Sequence, residues 1–118
     1  MRKNVQDPDD LLPLMPAEFQ ILLALSDGDR HGYGIMEEVR GRTNGDVVLG
    51  PGVLYGTLKR LVSLGLVERT EVTPPDRRRY YRLTSLGLRI AQSEARRLAA
   101  LVGDARLKNL LSTQSSNA

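Results

Sequence analysis

The sequence contains no cysteine and no tryptophan, with only one histidine and one phenylalanine. Without cysteine there is no disulfide framework, no thiolate zinc site and no cysteine nucleophile. The lone His31 has no orienting acid evident in the sequence, and no glycine-rich phosphate loop precedes a lysine. An enzyme therefore has almost nothing to work with. Three aspartates, Asp7, Asp9 and Asp10, cluster around Pro8. They lack the loop glycine and distal glutamate of a calcium loop and read as a solvated tail, so neither a metal nor a cofactor is expected. No apolar run approaches the roughly 20 residues needed to span a bilayer, and the start lacks signal-peptide character. The expectation is a soluble, cytoplasmic protein with no membrane partner.

At 118 residues the chain suits one domain with a modest core. Its net charge of +3 is unevenly spread. Residues 1–58 carry five Lys/Arg against nine Asp/Glu, residues 59–89 carry eight against three, and residues 90–118 carry four against two. A basic block following an acidic one implies a directed field rather than general stickiness.

The basic block begins in LGPGVLYGTLKRLVSLGL, residues 49–66. Pro51 suits the first turn of a helix, and Gly65 supplies a C-terminal stop. Leu54, Thr57, Leu58 and Leu61 recur at helical spacing and define a buried stripe. The opposite stripe holds Gly52, Tyr55, Gly56, Lys59 and Ser63, with Arg60 at its flank. Small residues, an aromatic hydroxyl and two cations suit a helix lying against the phosphates and base edges of a DNA groove. An ordinary solvated surface helix is the alternative for this stretch alone.

Residues 1–13 read as a polar, poorly ordered tail. A first helix starts at Pro16 and is apolar nearly all round, as a central helix is. Asp27-Gly28-Asp29 ends it. A second helix runs from about His31 to Thr43, with Tyr33, Met36 and Val39 facing inward. His31 suits a helix start near a phosphate, and a partly exposed turn histidine remains open. Asn44-Gly45-Asp46 marks a turn, and Val47-Val48-Leu49 a short strand before the third helix. Residues 66–73 and 78–83 are rich in β-formers around Pro74-Pro75-Asp76, which predicts a hairpin with prolines at its tip. Arg77, Arg78 and Arg79 lie at or beside that tip, making a cationic wing next to a basic helix. Thr84 is a good N-cap for a last helix reaching about Leu110, although Gly87 replaces the glutamate of a full capping box. Leu86, Ile90, Leu98, Leu101, Val102 and Ala105 recur along one side of that helix. It is longer than the core requires, so this stripe is expected to pack against a second copy. The tail, residues 112–118, reads as disordered.

The fold predicted is mainly α with a small β-hairpin. It comprises a winged helix–turn–helix domain over residues 14–84 and a C-terminal dimerisation helix over residues 85–111. In this order of elements, LGPGVLYGTLKRLVSLGLVE, RRRYYRLTSLG and AEFQILLALSDGDRHGYGIMEEV resemble the PadR family of winged helix–turn–helix transcriptional regulators over about residues 14–110. The single C-terminal helix is similar to that of the family's small subgroup. The resemblance implies a homodimer that binds double-stranded DNA through the third helix and the wing. On it, Tyr55, Lys59 and Arg60 match the recognition-helix motif and Arg77, Arg78 and Arg79 the basic wing. His31 and Tyr33 match a helix start that packs near backbone phosphate. Some small members hold flat aromatic drugs between tryptophans at the dimer centre; with no tryptophan, that activity is not carried over. The expected function is a sequence-specific repressor acting on a palindromic operator, with any small-molecule effector unidentified. The competing reading is a winged-helix module for protein–protein assembly without DNA binding, which leaves the arginine tip unexplained.

Overall fold

A computed structural model of the chain describes residues 7–71 and 75–112. Among the described residues, four α-helices pack around a small three-stranded antiparallel sheet. They are α1 (Pro16–Leu25), α2 (Gly32–Arg42), α3 (Pro51–Ser63) and α4 (Ser85–Leu107), with strands β1 (Arg30–His31), β2 (Val67–Arg69) and β3 (Tyr80–Leu83). The sheet order is β1-β3-β2. β3 pairs with β1 through Arg30↔Tyr81 and with β2 through Val67↔Leu83. This is a winged helix–turn–helix, mainly helical with a small sheet, as expected.

The apolar α1 sits centrally and touches α2, α3, α4 and β3. Its Ile21, Leu22 and Ala24 are fully buried, as are Leu54 and Leu61 of α3. The predicted stripe of α3 therefore does face the core. Its predicted stop is also present. Gly65 takes φ +79, its N–H donates to Val62 O at 3.0 Å, and the Leu66 N–H donates to Leu61 O at 3.0 Å. That pair of bonds satisfies carbonyls which the helix end would otherwise leave open.

Thr84 caps α4 as its sequence suggested, its Oγ1 accepting from the Gly87 N–H at 2.9 Å. The same hydroxyl donates to Gly65 O at 2.6 Å, and the Thr84 N–H donates to Leu66 O at 3.1 Å. A Cβ at Gly87 would collide with the Leu66 carbonyl oxygen. Glycine stands there so that α4 can start hard against the end of α3.

Several expectations are corrected. Residues 7–13 are not a free tail: Pro8–Leu11 forms a 3₁₀ turn, with the Asp7 side chain accepting from the Asp9 N–H, and it packs on α4. The buried Leu14 N–H donates to Glu94 Oε2 at 3.0 Å. Residues 1–6 and 113–118, where the rest of the two tails was expected, lie outside the described residues. No strand forms over Val47–Leu49. There the Thr43 hydroxyl accepts from the Val47 N–H at 3.0 Å and donates to Val39 O at 2.8 Å, so a side chain pins the loop in place of a ladder. Tyr33 is 57% exposed rather than inward. With α2 starting at Gly32, the inward line runs through Gly32, Ile35 and Val39, and Tyr33 lies off it. The two strands of the hairpin are shorter than predicted, and residues 72–74 lie outside the described residues. α4 stops at Leu107, where Asn109 turns left-handed at φ +65.

Candidate nucleic-acid interface

α3 holds its Leu54, Leu58 and Leu61 inward, which leaves Gly52, Val53, Tyr55, Gly56, Lys59, Arg60 and Ser63 exposed on the other side. A Cβ placed on Gly52 or Gly56 would meet nothing within 4 Å. These glycines fill no protein contact, and they lower the helix surface for a close approach from outside. Tyr55 leans towards α2, where a side chain on Gly32 would run into its ring and hydroxyl. Two clefts flank Tyr55. One, of about 310 Å³, is lined by Tyr55, Leu58, Lys59, Val62, Arg69 and Tyr81. The other, of about 410 Å³, lies between His31, Gly32, Tyr33, Tyr55, Arg78, Arg79 and Tyr81. Of the sequence-predicted residues, Tyr55 and Lys59 line the first cleft and His31, Tyr33, Tyr55, Arg78 and Arg79 the second, the two clefts sharing Tyr55 and Tyr81; Gly52, Gly56, Arg60, Ser63 and Arg77 line neither.

The wing's return towards β3 is fixed by Asp76. Its Oδ1 accepts from the Arg78 N–H at 3.1 Å and its Oδ2 from the Tyr80 hydroxyl at 3.0 Å. The Arg78 backbone N–H, and next the Tyr80 hydroxyl, hold the Asp76 carboxyl below its ordinary range, while the bond to Asp76 raises the Tyr80 phenol. Arg77, at φ +57, turns the chain so that Arg78 folds back over the start of α2. There Arg78 Nη1 lies 2.7 Å from His31 Nε2, and the imidazole meets Tyr80 edge-on at 5.2 Å. His31 Nδ1 already accepts from the Gly34 N–H at 2.9 Å, capping α2. A neutral imidazole has one acceptor nitrogen, so the Gly34 N–H at Nδ1 and Arg78 Nη1 at Nε2 compete for it, and which of them donates depends on the tautomer. The Arg78 guanidinium has further N–H donors beside that contact, and with Arg79 on the same cleft they suit an anionic oxygen.

Two predicted residues do other work. Arg60 Nε donates to Glu18 Oε2 at 2.7 Å, compensating a carboxylate whose side chain is only 6% exposed. Glu18 Oε1 in turn accepts from the Met15 N–H at 2.8 Å, at the start of α1. The Ser63 hydroxyl donates to Arg60 O at 2.8 Å, within its own helix.

Along α4 the predicted apolar stripe divides in two. Ile90 is 1% exposed inside the protomer's core, and Leu86 packs against that core. They are corrected here from dimerisation residues to core residues, because the first turns of α4 cover the domain's own interior. Leu98 and Ala105 are half-buried, Leu101 is 53% exposed and Val102 is exposed, joined by Leu107, Leu110 and Leu111 beyond them.

Sequence reasoning missed Gly32, Arg69 and Tyr81 as lining residues and Asp76 as the anchor of the wing. Arg69 and Tyr81 face each other in the β2–β3 register, which no local pattern reveals. Asp76, two residues before Arg78, did carry the spacing of an Asx turn. Among the described residues there is no group of three or more His, Asp or Glu able to hold a metal, and no helix long and apolar enough to cross a membrane.

Comparison with known proteins gives a consistent picture. Residues 21–93 match the family described as "Transcriptional regulator PadR-like family". The fold is similar to that of a transcriptional regulator from Clostridium thermocellum, with a TM-score of 0.67 and 25% identity over 81% of this chain and 92% of that one. It is also similar to a PadR family transcription regulator from Clostridium difficile, with a TM-score of 0.68 and 22% identity over 77% of this chain and 95% of that one. An uncharacterized 37.1 kDa protein in transposon TN4556 of Streptomyces fradiae is 40% identical over 90 residues, 74% of this chain and 24% of that protein. The chain spans less than two thirds of the length of the curated relatives it matches.

Proposed function

Since this chain belongs to the PadR-like family of transcriptional regulators, a family of regulators and not of enzymes, we propose that it is a sequence-specific DNA-binding repressor. It acts as a homodimer on a two-fold symmetric operator. α3 enters the major groove, and the wing with the start of α2 grips the flanking backbone.

The observation that carries this reading is the cleft at the junction of wing and α2, where Arg78 and Arg79 of the wing meet His31 and Tyr33 at the start of α2 beside Tyr55 of α3. A backbone phosphate in that cleft meets two guanidinium groups at once, which suits charge-assisted hydrogen bonding. From that anchor the open glycine face of α3 and Lys59 lie towards the duplex, while Glu18 keeps Arg60 at the edge. The exposed Leu101, Val102 and Leu107 on α4, with Leu98 and Ala105 beside them, supply the surface that joins two copies. Each copy then reads one half-site, the half-sites lying about one helical turn, ~34–36 Å, apart. Any effector acts by altering this distance.

Selection from a random pool of duplexes with the purified protein tests the reading. Enrichment of a two-fold symmetric site is expected, and a promoter overlapping that site should be silenced in a purified transcription reaction. A protein that enriches no duplex, while remaining folded, overturns DNA recognition in favour of a protein-assembly module. A site that raises transcription instead overturns the repressor role alone.

A further inference from the structure

The outward face of α3 is poorly equipped to read bases by hydrogen bonding. Its first two turns expose Pro51, Gly52, Val53 and Gly56, and none of these side chains holds a donor or acceptor. Tyr55 leans over Gly32 at the start of α2. Thr57 is half-buried on the inward side with Leu54 and Leu58. Polar side chains reach the open face only from Lys59 onward, and Arg60 there is engaged by Glu18.

What does project from the leading end is the isopropyl group of Val53, 54% exposed. Gly56, three residues on, is its neighbour on the helix surface, and Gly52 precedes it. The open space at both glycines lets a flat surface reach the valine methyls unobstructed. A single exposed apolar side chain needs no explanation by itself. Here it stands between Pro51 and the Tyr55 ring on a stretch of recognition surface where the Tyr55 hydroxyl, turned over Gly32, is the polar group. In the major groove every base edge offers donors or acceptors, and the 5-methyl group of thymine is the apolar feature.

We propose that Val53 is a specificity-determining residue that packs its methyl groups against a thymine 5-methyl in each half-site. The proposal rests on the reading of α3 as the DNA-reading helix. It makes the leading end of α3 a detector of shape and apolar contact, with Lys59 and the wing supplying the charge. The preferred operator accordingly holds a thymine at a fixed, two-fold related position, and the protein distinguishes that thymine from uracil, which pairs identically but lacks the methyl.

The test uses the full chain and a duplex enriched from the random pool, resynthesised with deoxyuridine in place of thymine one position at a time. Loss of one buried methyl contact should weaken wild-type binding about fourfold at the responsive position, and about fifteenfold when both half-sites are changed. In Val53→Ala this uracil penalty should vanish at that position. In Val53→Thr, which keeps one of the two methyls, it should be intermediate. Circular dichroism melts establish that both variants are folded. A wild type indifferent to uracil at every position overturns the proposal, as does a penalty that persists undiminished in Val53→Ala. A protein that enriches no duplex instead fails the DNA-binding reading, so the two failures are told apart.

Discussion

Removing the Glu94 carboxylate should cost more than the loss of one ion pair. Glu94 is 2% exposed. Its Oε2 accepts from the Leu14 N–H and from Arg97 Nη2, both at 3.0 Å, and its Oε1 from Arg97 Nε at 2.6 Å. In Glu94→Ala the buried Leu14 N–H loses its acceptor, at a cost of about 1–3 kcal/mol. Arg97 is freed into water and adds little. A total of about 1–3 kcal/mol is expected, which lowers Tm by about 4–12 °C for a chain of this size. Glu94→Gln keeps one carbonyl oxygen for Leu14, so it should lose about half as much.

The pH dependence has a definite sign. The Arg97 guanidinium, foremost, holds the Glu94 carboxyl below the usual carboxylate range; burial opposes it and the Leu14 N–H reinforces it. A carboxyl depressed in the folded state contributes stability that is complete above the unfolded value of about 4.3. That stability is lost as pH falls through the folded value. Urea unfolding of wild type and Glu94→Gln, followed by circular dichroism between pH 7 and pH 3, reads both effects. The protomer concentration must be held fixed, because association adds to stability. The gap between wild type and Glu94→Gln should narrow below about pH 4.3. An alanine variant within 0.5 kcal/mol of wild type, or a gap that does not close in acid, would refute this account of the N-terminal anchor.

The wing should act mainly through charge. Replacing Arg77, Arg78 and Arg79 together with alanine should weaken binding to all duplexes, and flatten the log–log salt slope by up to about three units. An unchanged slope removes the wing from the surface. Lys59→Ala should reduce the slope by about one with little change in Tm, whereas Leu58→Ala should destabilise the fold by about 2–5 kcal/mol as a core truncation. Equal effects of the two on melting would mean that α3 faces the other way. Leu98→Asp should sediment as a folded monomer that loses a palindromic duplex far more than a scrambled one, since a charge would be buried between subunits. A wild type that sediments as a monomer yet selects the palindrome refutes the dimer.

The helix–turn–helix was legible because its determinants are local. The inward leucines of α3 recur at 3.6-residue spacing, Pro51 and Gly65 bracket them, and Thr84 announces α4. What escaped notice depends on distant partners. Two-residue β1 has no periodicity of its own and exists because β3 pairs with it. The segment before Leu14 looks like a polar tail until Glu94, 80 residues away, accepts its backbone N–H. Gly87 reads as a failed capping box, yet its reason is the Leu66 carbonyl. The stripe of α4 was visible, but Ile90 and Leu101 share it equally in sequence. Only the packed domain shows where its interior ends and its surface begins. At the site, the cations and Tyr55 stand out by residue type, whereas Val53 belongs to neither stripe read from the sequence of α3.

The junction between α3 and α4 has a mechanical consequence. α4 is fastened to the reading unit at two places: at Thr84, through Gly65 and Leu66, and at Glu94, through Leu14 and the adjoining Met15–Glu18–Arg60 chain. Ten residues of helix separate these fastenings by about 15 Å. One attachment would be a pivot; two make a lever. A 23-residue helix is about 34 Å long, so in the proposed dimer a 10° change in how two such helices cross would displace what is bolted to them by about 6 Å at the far end. That is nearly two base-pair steps along a duplex, enough to take a half-site out of register while every internal contact of the domain is kept.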